Sequence, residues 1–323
     1  MIIGYRIRKG IVYFYFMARF SYLLLTLLLW QCQNGVDEIP IVGPAYAGPP
    51  TYDGGSRFPR TEQTISLGQR LFNDQNLSID STISCATCHK ADAYFSDPGN
   101  ALSVGLQGTP THRNASALVN LAWYPYFFAE GGVRNLKLSS FVPINNRHEF
   151  GRKLHDVVEG LMADPTYVEE FNDAFRAQPI TDAQFVTALA HYMAGLKYYD
   201  SPYDLWLGGD SAALNTDAHA GLELFQEHCS TCHGGPQLSS FAIAANGLPT
   251  NADYGRMNLT NNAEDSGAFK IPTLRGIALT YPYMHDGSYA DLDTVLWTYN
   301  ELRELGMNLE ELAQLKAFLN SLH

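Results

Sequence analysis

The chain has 323 residues, 46% of them hydrophobic and 17% charged, a balance ordinary for a globular protein and sufficient for a real core. Its length corresponds to about two domains of ~150 residues. Its 21 basic and 33 acidic residues give a formal charge of −12 and exclude nucleic acid as a partner, because a phosphate-binding face needs clustered cations.

Residues 1–31 read as a signal peptide and stand apart from the fold. Arg6, Arg8, Lys9 and Arg19 are their only charges, and residues 21–30 form an apolar run. Arg19 interrupts the longer run from Ile11, so no uninterrupted spanning helix of ~20 residues is available. A start at Met17 leaves a more compact signal. Cys32 follows the apolar run where a lipoprotein signal carries its acylated residue, although Leu29-Trp30-Gln31 lacks the usual small side chains; a free thiol is the other reading. Both place the protein in the periplasm or outer cell envelope. Without residues 1–31 the balance is 17 basic against 33 acidic, or −16. Such a surface suits a basic cytochrome or small cupredoxin donor by electrostatic steering, or serves solubility alone.

Residues 32–60 are rich in Pro and Gly, from Pro40 to Pro59, and read as a flexible tether. A helix follows over 64–73, with Leu67, Leu71 and Phe72 on one face. It leads into Cys85-Ala86-Thr87-Cys88-His89, which returns as Cys229-Ser230-Thr231-Cys232-His233. C-x-x-C-H is the c-type haem attachment signature: two thiols add to the porphyrin vinyl groups and the histidine becomes the proximal iron ligand. A zinc site built from the four cysteines is the rival, and it leaves both histidines idle. Two copies predict two covalently bound haem c groups.

Residues 90–151 carry many Gly, Pro, Asn and aromatic residues without a sustained period. A loop that long is usually functional, and here it is expected to build the distal side of a haem. Residues 154–175 and 182–198 read as helices, the second with Phe185, Leu189, Tyr192 and Leu196 on one stripe. Pro202, Gly208 and Gly209 break the pattern, which divides the folded part into 61–200 and 201–323. A helix over 217–228, with Leu222 and Phe225 inward, delivers Cys229. The last helix, 308–322, has Asn308 as N-cap, Glu310 and Glu311 in its first turn, and Leu312, Leu315 and Leu319 facing in. No strand pattern competes, so the class is mostly α. The halves resemble a duplicated unit, two cytochrome-c-like domains with one haem each.

Further motifs occur in order: Ser103-Val104-Gly105, Arg113-Asn114, the run from Phe269 to Arg275, and the run from Tyr281 to Ser288. With the haem motifs, they make the chain from about residue 64 onward resemble the bacterial di-haem cytochrome c peroxidase family, including its MauG-like branch. The resemblance implies that the N-terminal haem, on His89, reacts with peroxide and that the C-terminal haem, on His233, relays electrons. Glu149 matches the distal glutamate that moves a proton between the peroxide oxygens, and Pro143 the proline beside it; a solvated surface carboxylate is the plain alternative.

Three positions depart from the peroxidase pattern. Leu106 replaces the histidine that caps the resting peroxidatic iron; His112 is the nearest substitute, with an ordinary surface histidine as the other reading. At the second haem, counting from His285 places Tyr299 at the sixth-ligand position usually held by methionine, as in MauG-like proteins; Met284 and an empty position are the rivals. Ala129 replaces the tryptophan between the haems, with Trp123 and Tyr124 nearby. The resemblance also implies a calcium ion held by Asn114, Thr280 and Pro282, where Asn114 otherwise fixes a turn.

The expected function is therefore an exported di-haem c-type peroxidase reducing hydrogen peroxide to water, with a small cytochrome c or cupredoxin as donor and a homodimer as one admissible assembly. The alternatives are a MauG-like enzyme that oxidises side chains of a partner protein through a high-valent state of both haems, and a non-enzymatic electron carrier.

Overall fold

Thr61 and Thr64 cap each other's backbone, the Thr61 hydroxyl accepting from Thr64 N at 3.2 Å and the Thr64 hydroxyl from Thr61 N at 2.9 Å. This reciprocal cap starts the helix Glu62–Asn73, which buries Leu67, Leu71 and Phe72 as the sequence pattern requires. The computed structural model describes residues 58–249 and 253–323. The signal segment, Cys32 and nearly all of the tether lie outside the described residues.

Glu62–Asn73 packs on Asp182–Met193 with Gly68 at the crossing. A Cβ on Gly68 would stand 2.0 Å from the Ala188 carbonyl oxygen, so only glycine lets the two backbones meet. The buried His191 ties the pair, its Nδ1 lying 2.8 Å from the Thr64 hydroxyl. The second half repeats the device: Thr216–His228 crosses Leu309–Asn320, and a Cβ on Gly221 would stand 1.9 Å from the Gln314 carbonyl oxygen. The buried apolar side chains accordingly fall into two clusters, Leu67 to Ala194 and Tyr203 to Leu322. Each contains the helix that precedes a haem motif. Gly68→Ala is expected to cost about 1–3 kcal/mol of stability through overpacking; guanidinium unfolding of the holoprotein measures it, and an unchanged midpoint contradicts the close crossing.

The described residues are mostly helical, with several boundaries moved from expectation. The helix expected over 154–175 is two, Leu154–Met162 and Pro165–Phe175. Pro165 has no N–H to continue the first, and Asp164 caps the second by accepting from Thr166 N at 2.8 Å. The helix expected to reach Tyr198 ends at Met193. Asn120 draws the chain aside there, donating its N–H to Leu196 O and accepting from Tyr198 N, so Leu196 leaves the helical stripe. The expected break near Pro202 contains a short helix, Pro202–Leu207, with proline in its first turn and a Ser201/Asp204 capping box.

The final helix is Leu309–Asn320, capped by Asn308 and Glu311. Leu292–Leu302 is a further helix, which Asp291 caps by accepting from Thr294 N at 2.7 Å. One short antiparallel pair, Ile243–Ala245 with Ala268–Lys270, corrects the expectation of no strands. Among the described residues no helix is long and apolar enough to cross a membrane.

Candidate functional site

Each haem motif forms one helical turn that ends on its histidine. Ser84 and Thr87 start the first turn, Ser84 N donating to the Thr87 hydroxyl at 3.0 Å, and His89 N closes it on Cys85 O at 3.0 Å. His89 Nδ1 then lies 2.8 Å from Phe95 O. His233 repeats the arrangement more loosely, with Nδ1 3.3 Å from Leu238 O. A histidine whose Nδ1–H is given to a carbonyl presents the lone pair of Nε2, the form that ligates iron. Burial depresses both imidazole pKa values, against the partial opposition of facing carbonyls, and so keeps the rings neutral for that purpose.

Cys85, Cys88, Cys229 and Cys232 are in no disulfide, and both pairs stand on the same turn as their histidine. Among the described residues no three His, Cys, Asp or Glu side chains are grouped to hold a metal ion. The four cysteines therefore do not converge on one zinc, and the donor set fits two haems.

Glu149 sits at the first motif. Burial pushes the Cys85 thiol up to about 12, with the Glu149 carboxylate the next contributor, and Glu149 also raises Cys88 after burial and other groups. The carboxyl group is thus within electrostatic reach of both attachment thiols. A turn fixes it: Glu149 N donates to Asn146 O at 3.0 Å, while Asn146 Nδ2 donates to Glu149 Oε1 at 2.6 Å. Pro143 belongs to the same turn, its carbonyl accepting from Asn146 N and Phe150 N. Burial raises the Glu149 pKa, opposed by the Asn146 hydrogen bond and by His112.

Leu106 faces this turn with hydrocarbon. It is buried in the N-terminal cluster, and its N–H donates to His148 O at 2.9 Å. Gly105 permits that approach, since a Cβ there would lie 1.9 Å from the same carbonyl. His112 is exposed and packs edge-on against His148, ring centroids 5.1 Å apart. Asn146, which aims the Glu149 carboxyl, carried no motif signal in the sequence.

Tyr299 is presented by the helix Leu292–Leu302. Its hydroxyl accepts from Asn246 Nδ2 at 3.2 Å. Burial raises its pKa and the Cys232 thiol adds a smaller push, which puts the phenol in range of the second motif. Met284 sits in a left-handed turn with φ of 75°. The Ala129 carbonyl accepts from Lys270 N at 2.7 Å. Tyr124 reaches into the C-terminal half: it packs on Phe241 at 4.6 Å, and the Lys270 ammonium lies 4.3 Å from its ring centroid.

The ordered motifs converge on one charged cluster that sequence spacing did not show. Arg113 Nε donates to Glu130 Oε1 at 2.8 Å and its Nη2 to Asp253 Oδ1 at 3.1 Å. The His285 ring stacks on Phe269 at 4.2 Å with Nε2 3.7 Å from Asp253 Oδ2. Beside it, Asn114 Nδ2 donates to the carbonyls of Asn100 and Ala101, while Gly99 N donates to Tyr281 O. Asn114 and the Tyr281-Pro282 peptide therefore grip the same loop. The Thr280 hydroxyl donates to Ile277 O.

The di-haem cytochrome c peroxidase family model matches residues 62–212. Cytochrome c551 peroxidase of Nitrosomonas europaea is 34% identical over 277 residues, covering 82% of this chain and 81% of that protein. The chain belongs to the di-haem cytochrome c peroxidase family. Methylamine utilization protein MauG of Methylorubrum extorquens is 33% identical over 280 residues, covering 82% of this chain and 79% of that one. Among solved structures, a MauG-like protein associated with microbial copper homeostasis has a TM-score of 0.79 at 29% identity, covering 86% of this chain and 94% of its own. Family membership makes the chain a peroxidase-type oxidoreductase and implies two haem c groups. It sets aside the non-enzymatic carrier.

Proposed function

We propose that this family member is an exported di-haem c-type peroxidase that reduces hydrogen peroxide to water with electrons from a small cytochrome c or cupredoxin. The observation that carries the reading is Glu149, a half-buried carboxyl group aimed by Asn146 and within electrostatic reach of Cys85 and Cys88. Haem bound there supplies the iron that takes up peroxide and passes electrons. The protein's part is to move protons. Ionised Glu149 takes a proton from one peroxide oxygen and returns it to the departing one, which makes the O–O cleavage heterolytic. Asn146 holds Oε1, so Oε2 is the oxygen left to act. Leu106 offers no nitrogen to the iron, and Pro143 shapes the same turn.

The reading also includes one haem in each of the halves 61–200 and 201–323, Tyr299 as a ligand beside His233, and calcium at Asn114, Thr280 and Pro282. Steady-state peroxide consumption with a reduced cytochrome c or cupredoxin tests it. A ferric protein without a high-spin, peroxide-reactive haem defeats it.

Proton abstraction needs Glu149 ionised, and its pKa is raised in the folded protein. Turnover is therefore expected to fall as pH drops through that raised value, with an acid limb above the ordinary glutamate range of about 4.3. A pH profile of kcat/KM measures this, and a limb at or below 4.3 contradicts the burial.

A second reading rests on Leu106 together with Tyr299 in range of Cys232: a MauG-like enzyme that oxidises side chains of a partner protein. Rapid mixing with peroxide separates the two. An oxidised state that lasts for minutes and that cytochrome donors do not quickly reduce favours partner oxidation.

A further inference from the structure

Three consecutive carbonyls behind the second haem motif are each held by a different group. Arg275 Nε and Nη2 donate to Pro236 O at 3.0 and 2.7 Å. The Thr273 hydroxyl donates to Gln237 O at 2.6 Å. The third carbonyl, of Leu238, faces His233 Nδ1. Arg275 is only 2% exposed and forks onto both oxygens of Asp204 at 2.7 Å each. Its guanidinium also lies 4.9 Å from the centroid of the Tyr199 ring, whose hydroxyl accepts from Gln237 Nε2 at 2.9 Å. Asp204 is fixed in turn by Ser201, whose N and Oγ both donate to Oδ2.

The first motif is built differently. The carbonyl that meets His89 belongs to Phe95, and residues 90–96 hold it locally, with Lys90 N donating to Ser96 O and Phe95 N to Lys90 O. The second loop has local bonds as well, Leu238 N donating to Gly235 O and Ser239 N to Gly234 O, and is held in addition at Pro236 O by an ion pair whose members lie 71 residues apart. Burying two charges is a weak route to stability, since desolvation offsets most of their attraction. The bidentate fork does give directional rigidity, and here the rigidity is delivered to the loop that carries the histidine's acceptor.

We propose that the Asp204–Arg275 pair is a positioning device for the His233 ring, setting the redox potential of the second haem independently of the first. The inference rests on the reading that His233 holds the second iron. The Nδ1–H···O=C bond gives the imidazole partial imidazolate character, which favours ferric iron, and outer-shell hydrogen bonds of this kind tune a metal's potential. Loosening the 236–238 loop weakens that bond and makes the one-electron reduction easier.

The test uses holoprotein carrying Arg275→Lys, which keeps the charge but loses the fork, and Asp204→Asn, which keeps the shape but loses the charge. Potentiometric titration resolves the two haems, and electron paramagnetic resonance reports the ligand field of each. The reduction equilibrium of the second haem is expected to shift about tenfold toward the ferrous state, or ~59 mV. Its low-spin signal moves as well, while the first haem keeps its potential and signal. Three results overturn the proposal: no movement of the second haem in either variant, equal movement of both haems, or failure of both variants to mature as di-haem protein, which makes the pair a requirement of folding. If the unsubstituted protein shows no histidine-ligated second haem, the His233 reading itself fails, and that outcome is visible before any substitution.

Discussion

Replacing Glu149 by glutamine is expected to lower peroxide turnover by 10²–10⁴-fold, the usual contribution of a positioned general acid–base group. At 1.36 kcal/mol per tenfold this is roughly 3–5 kcal/mol of barrier. The amide preserves the shape of the side chain and an oxygen for Asn146 Nδ2 to donate to, but it has no charge with which to take the peroxide proton. The acid limb of the pH profile should disappear with it. Both haems should remain attached with unchanged resting spectra, because Cys85, Cys88 and His89 are untouched. Turnover within a factor of about three of the parent protein would return Glu149 to the status of a surface carboxylate.

Tyr299→Phe tests the second iron. A phenolate ligand stabilises the higher oxidation states, so its removal is expected to raise the reduction equilibrium of the second haem at least tenfold, or ~59 mV. The low-spin ferric signal should change while the high-spin signal of the first haem stays fixed. Met284→Leu is the companion variant and should leave both signals in place. If Met284→Leu moves the low-spin signal and Tyr299→Phe does not, the thioether is the ligand. Asn246 loses an acceptor in Tyr299→Phe, a change local to that side chain.

Much of the candidate site is legible in the sequence, because it is written in short contiguous stretches. Cysteines three apart and a following histidine fit on a single helical turn, so spacing alone points to their chemistry, and both motifs adopt that turn. Caps are equally local. Asn308 with Glu311 was readable because a side chain reaches only the next three backbone N–H groups. The helix ends at Met162 and Met193 were not readable from periodicity. The first is set by Asp164 and Pro165, local signals outweighed by the longer apolar pattern, and the second by Asn120, 78 residues from the Tyr198 backbone it captures.

By itself, then, the sequence determined where the two C-x-x-C-H motifs stand, that the chain is mostly helical, and which positions depart from the peroxidase pattern. Each of those follows from neighbours along the chain. Only the tertiary structure decided what faces what. It brought the Glu149 carboxyl within reach of Cys85 across 64 positions of aperiodic chain. It set Tyr299 on a helix in range of Cys232, gathered Arg113, Glu130, Asp253 and His285 into one cluster, and clamped the loop behind His233 with Arg275 and Asp204. Through-space electrostatics and backbone contacts over Gly68, Gly105 and Gly221 depend on how distant segments pack. That packing is a property of the assembled core and has no counterpart in residue spacing.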